Sequence, residues 1–104
     1  MLTMKSNYNQ SQIEKAETTF GIIGDKSNLL ILYELMNFGE KSFNELKRMT
    51  DINSVTLSKK LTILKSEKLV DSHEHGKENR YFVTLKSEVF RPLIKDIENL
   101  VINK

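Results

Sequence analysis

The sequence predicts an α+β fold, mostly α, in which helices are joined by short turns and interrupted by one β-hairpin. Three observations carry this. Ser42 to Leu64 holds two helical patterns separated by only a few residues. Leu69 to Thr84 alternates in polarity around a turn at Gly76. The chain has 104 residues with only 4 Gly and 1 Pro, so it has little material for long loops and is expected to form one domain over 1–104.

Residues 1–9 are polar and are expected to be frayed and disordered. A helix is expected over 10–23, with Ile13, Ala16, Phe20 and Ile23 spaced by three and four and Gly24 at its end. Asp25 or Ser27 can start the next helix, which runs to about Asn37. Its LLILYELM interior is apolar nearly all round, as a central buried helix requires. Gly39 stops it, and Lys41 to Phe43 can form a short strand.

Residues 42–64 read as a helix-turn-helix. Ser42 and Glu45 have the spacing of a capping box, in which each side chain satisfies the other residue's amide. Phe43, Leu46 and Met49 follow at helical spacing. Asp51 and Asn53 tolerate turn conformations, and Ile52 between them is expected to tuck inward. Asn53 or Ser54 can cap a second helix, where Leu57, Leu61 and Leu64 lie on one face at i, i+4 and i+7. By itself the segment is also compatible with an ordinary helical hairpin.

Residues 69–84 supply the discriminating context. Leu69 to His73 begins one strand, Gly76 to Asn79 is a polar turn, and Arg80 to Thr84 alternates with Tyr81 and Val83 on one face. A hairpin directly after a helix-turn-helix is the layout of a winged helix, with the hairpin as the wing. A last helix over 85–103, capped by Thr84, carries Phe90, Ile94, Ile97 and Val101 as a heptad-like seam. Pro92 is expected to kink it. The seam is too long for a small core to cover, which suggests a homodimer interface; packing within its own chain is the competing reading.

Net charge is only +2, but residues 41–80 hold nine basic against six acidic residues, while residues 1–40 hold three against five. A positive excess on the helix-turn-helix and wing suits a polyanionic partner. With no cysteine, disulfides, zinc-thiolate sites and thiol sensing are excluded. There is no Gly-rich phosphate loop, Ser/His/Asp arrangement or paired-carboxylate cleft, so no enzyme and no cofactor is expected. No apolar run could span a bilayer and the N-terminus does not resemble a signal peptide, so no membrane partner and a cytoplasmic location are expected.

The residues expected to touch double-stranded DNA follow from chemistry. Ser54, Thr56 and Ser58 are short hydroxyl donors near a helix N-terminus, suited to phosphates or base edges. Lys59 and Lys60 suit phosphate or guanine, with at least one of the two expected to lie in solvent. Periodicity does not decide where Thr62 faces. Lys47 and Arg48 can reach the DNA backbone. Lys77 and Arg80 are the wing's candidates, Arg80 being the better minor-groove residue unless it pairs with Glu78. His73 and His75 share a strand face as metal ligands could, but no further Cys or His exists to complete a metal site. They are expected to be surface residues that gain charge near pH 6.

These residues resemble the HxlR-type winged helix-turn-helix transcriptional regulators, within the broader MarR-like group. Ile23-Gly24-Asp25-Lys26 is similar to that family's I-G-G-K element, and Leu30 to Leu35 to its central helix. Ser42-Phe43-Asn44-Glu45-Leu46 matches R-F-N-E-L except at its first residue. Ile52 to Leu64 follows the recognition-helix pattern, Tyr81-Phe82-Val83-Thr84 resembles its Y-x-L-T strand exit, and Pro92 falls where proline is common. The likeness covers about residues 20–97. Ser27 replaces the usual tryptophan, the N-terminal cysteine is absent, and the wing, HEHGKENR, is shortened and lacks its proline. The resemblance implies a homodimeric, sequence-specific DNA-binding transcriptional regulator. Its first helix (including Phe20) and last helix would form the dimer interface, with the recognition helix in the major groove and the wing at the minor groove. A small-molecule effector is compatible with this, though no residue identifies one. The alternative from another class is a winged-helix module that binds protein without DNA.

Overall fold

The computed structural model describes residues 9–97. The expectations for residues 1–8, for Val101 and for the end of the last helix lie outside the described residues. Helix α1 (Gln10–Ile23) begins at a reciprocal capping box between Asn9 and Gln12. Helix α2 (Lys26–Phe38) is capped by Asp25, whose carboxylate accepts from the Asn28 amide at 3.1 Å. Gly39, with φ 85°, ends α2 in a conformation that strains other residues.

A short strand, β1 (Lys41–Ser42), leads directly into helix α3 (Phe43–Thr50). The Ser42–Glu45 capping box is present in both directions. The Glu45 amide donates to Ser42 Oγ at 3.1 Å, and the Ser42 amide donates to Glu45 Oε1 at 2.9 Å. Asp51 closes α3 in the left-handed region, with φ 59°, which aspartate visits more readily than most residues. Ile52 turns into the core as expected. Asn53 then caps helix α4 (Ser54–Ser66), accepting from the Thr56 amide at 2.9 Å.

Strands β2 (Val70–His75) and β3 (Glu78–Val83) form the hairpin, and β1 joins it to give an antiparallel sheet of order β1-β3-β2. Only Gly76 and Lys77 form the turn, so β3 starts earlier than the alternation suggested. Gly76 supplies the positive φ, 67°, at the first turn position. Tyr81 and Val83 pack on the core, and Leu69 and Val70 are fully inside it.

The core is built on α2. Ile31, Leu32 and Leu35 meet Leu46 of α3, Leu57, Leu61 and Leu64 of α4, Leu69 just before β2 and Val70 at its start. The spaced leucines of α4 are all buried, which fixes the rotation of that helix. Met49 departs from its expected inward place and is exposed at the end of α3.

The C-terminal region corrects the expectation of one long helix. After β3 the chain forms a 3-10 turn (Lys86–Phe90) and then a short helix, α5 (Arg91–Lys95). Pro92 lies in the first turn of α5, where its missing N–H costs nothing, so it starts a helix rather than kinking one. Thr84 sits at the entry to this turn as expected of a cap: its hydroxyl accepts from the Ser87 amide at 3.4 Å and donates to the Lys68 carbonyl, while Leu85, directly before the 3-10 turn, makes no side-chain cap bond. Ile94, expected on a dimer seam, is 1% exposed and belongs to the chain's own core. The helix starts late and is rotated so that this position faces α2, which removes Ile94 from any outward stripe.

Candidate nucleic-acid interface

With Leu57, Leu61 and Leu64 inward, helix geometry puts Val55, Lys59 and Thr62 on the opposite side at i, i+4 and i+7. All three are exposed, with Ser54 and Ser58 exposed on the flank. Thr56, expected to project outward, is only half-exposed. The Thr62 hydroxyl donates back to the Ser58 carbonyl at 3.0 Å, so that residue is resting on its own helix. Lys59 has no carboxylate partner among the described residues. Lys60 is different: its Nζ lies 3.3 Å from Asp25 Oδ1, tying α4 to the N-cap of α2. The Asn28 amide and then Lys60 hold the Asp25 carboxyl below its ordinary range.

Two polar clefts flank the start of α4. In one, Lys47 and Arg48 of α3 face Asp51, Ile52 and Asn53. In the other, Lys26 and Ser27 at the start of α2 share a wall with Asn53 and Thr56. The N-termini of α2 and α4 and the basic end of α3 therefore open on one region. Lys26 carries no local pattern that marks it as a DNA contact; the fold brings it beside Asn53 and Thr56.

The wing divides the expected basic residues. Lys77 stands exposed at the turn. Arg80 is not free at the tip: it lies on β3 and reaches back across the sheet. Its Nε is 3.0 Å from Glu40 Oε1, and its two Nη atoms lie 3.2 Å from Glu78 Oε1 and 3.2 Å from the Glu40 carbonyl. Glu45 Oε1, already in the capping box, is a further 3.5 Å neighbour. The Glu78 pairing was the competing expectation for Arg80; Glu40, forty residues away in sequence, was not foreseeable from spacing. His73 completes the cluster, its Nε2 lying 3.2 Å from Glu40 Oε2. Glu40 raises the His73 pKa above its ordinary value, and His73 followed by Arg80 lowers that of Glu40. His73 is thus an ion-pair partner rather than half of a metal pair with His75.

Separately, α1 and the 3-10 turn form an apolar groove of about 360 Å³ lined by Ala16, Phe20, Val89 and Phe90 among others. Phe20 is 59% exposed even though its ring meets Phe90 edge to face, with centroids 5.8 Å apart. Ile97 is half-buried at the end of the described chain.

A helix-turn-helix, an antiparallel wing, and α1 and α5 packed against α2 are thus in place. The HxlR-like helix-turn-helix family matches residues 22–103, most of the chain. The chain belongs to this family. No curated protein matches it. Among solved structures it is similar to HlyU from Vibrio cholerae N16961, at 20% identity over 89% of this chain and 98% of that one, with a TM-score of 0.73. A predicted DNA-binding transcriptional regulator from E. coli is 26% identical over 88% of this chain and 94% of that one, with a TM-score of 0.73. A homodimeric winged helix-turn-helix DNA-binding domain from Mycobacterium bovis is 18% identical over 94% of both chains, with a TM-score of 0.73. As an HxlR-like protein the chain has the family and fold of DNA-binding transcriptional regulators rather than of enzymes. No described helix is long and apolar enough to cross a membrane.

Proposed function

We propose that this regulator is a single-domain cytoplasmic protein that binds specific double-stranded DNA as a homodimer. Helix α4 enters the major groove and the β2–β3 wing approaches the adjacent minor groove. The observation that carries this is the rotation of α4: its leucines are consumed by the core, leaving Lys59, Ser54, Ser58 and Thr62 outward. Arg48, Lys47 and Lys26 beside the helix start suit the phosphate backbone, and Lys77 is the wing's contact. Thr56 contributes at the helix start, while Lys60 and Arg80 act indirectly by holding α4 and the wing in place.

The dimer reading rests on the exposed apolar residues Ile13 and Phe20 of α1, Val89 of the 3-10 turn and Leu93 of α5. The homodimeric state of the Mycobacterium bovis domain, which shares this fold, adds support. The test is selection of bound sequences from a random duplex pool, followed by mobility-shift titration across salt concentrations. We expect a palindromic output, whose half-site spacing reports the distance between the two recognition helices, and affinity that falls steeply with salt. Failure to bind any duplex at low salt would overturn the proposal and favour a protein-binding winged helix.

A further inference from the structure

We propose that Val55 is a specificity-determining residue that reads the 5-methyl group of a thymine. This rests on the DNA-binding reading above. Val55 is the second residue of α4 and is 65% exposed. The core has no claim on it, because Leu57, Leu61 and Leu64 define the opposite face. A β-branched residue also gains nothing from an exposed helical position, since its helix propensity is low. What the position offers is placement: Val55 shares the outward stripe of Lys59 and Thr62, one turn nearer the helix start. The N-terminal residues of a recognition helix are those that reach base edges.

The chemistry of the groove then selects the target. In the major groove only an A·T pair presents a methyl group, and apolar side chains contact it where hydrogen-bonding ones cannot. Valine has no donor or acceptor, so a base edge can satisfy it only through apolar contact. Its stiff χ1 means that little rotamer freedom is lost when the contact forms. Lys59, Ser54 and Ser58 around it supply polar and phosphate contacts, so the methyl contact adds base discrimination to a site already anchored.

The test uses the full chain and the duplex recovered from the random pool. Each thymine is replaced singly by deoxyuridine, which removes only the methyl. We expect one thymine per half-site whose replacement weakens binding about fourfold, the equivalent of one buried carbon's transfer energy. Val55→Ala should bind the parent duplex more weakly and lose sensitivity at that thymine, with an unchanged circular dichroism spectrum. If Val55→Ala keeps the full deoxyuridine effect, or if no thymine shows one, the inference is overturned while DNA binding stands. If neither protein binds any duplex, both readings fall.

Discussion

Lys59 and Lys60 are neighbours in sequence and part company in space. Helical geometry turns Lys59 outward with the stripe, while Lys60 meets Asp25 across the α2–α4 contact. An ion pair this exposed contributes at most about 1 kcal/mol, so its value lies in fixing the angle of α4. We therefore expect Lys59→Ala to reduce the slope of log affinity against log salt by about one, the signature of a lost phosphate contact. Lys60→Ala should weaken binding while leaving that slope unchanged. Parallel salt titrations of the two variants separate the roles, and a slope loss in Lys60→Ala would return that residue to the DNA. His73 makes a second distinction at this scale. Its folded-state pKa is raised by Glu40, so its stabilising contribution is complete below its unfolded value of about 6.5 and fades as pH rises through the folded value. In proton NMR the His73 ring should titrate above the ordinary histidine range, and in Glu40→Gln its midpoint should fall. An unmoved midpoint in Glu40→Gln would show that another group raises it.

At the scale of elements, the first of the proposed DNA contacts and the N-cap of α4 share one turn of helix. Asn53 satisfies the Thr56 amide, and the residues that face outward begin immediately after it. Asn53→Ala should cost about 1 kcal/mol in denaturant unfolding, the ordinary value of an N-cap. It should also weaken DNA binding, because the turn it frays carries Ser54 and Val55. Unchanged affinity in a destabilised variant would place the reading residues further along the helix. Elements such as α4 are legible in the sequence because their determinants are local: a cap, and leucines at i, i+4 and i+7. The Ser42–Glu45 box and the Gly76 turn are legible for the same reason. The region after Thr84 is not, because Pro92 is compatible with either a kink or a helix start and the choice depends on how Ile94 packs. Ser87 helps to set that choice: its hydroxyl is fully buried and donates to the Leu69 carbonyl, a partner eighteen residues away. The Glu40–Arg80–His73 cluster was hidden likewise, since β1 pairing with β3 is what brings Glu40 to Arg80. In each case a long-range partner decided between local alternatives.

At the scale of the whole molecule, the apolar positions outside the helix-turn-helix fall into two groups that sequence periodicity had merged. Ile94 is enclosed by the chain itself, whereas Phe20, Val89 and Leu93 remain open. This separates folding from assembly. Ile94→Asp would bury a carboxylate in the core, where desolvation costs several kcal/mol, and should unfold the protein. Phe20→Asp adds charge to an exposed site, so the monomer should keep its helical circular dichroism and much of its thermal stability. In sedimentation velocity, Phe20→Asp should shift the protein towards half the parent mass. A monomeric regulator can engage only one half-site at a time, so the variant should lose affinity for a palindromic duplex far more than for a single half-site, because the second contact is no longer intramolecular. If Phe20→Asp stays dimeric and binds both duplexes as the parent does, the groove between α1 and the 3-10 turn is not the seam, and another exposed apolar surface, such as that around Phe38, becomes the place to look.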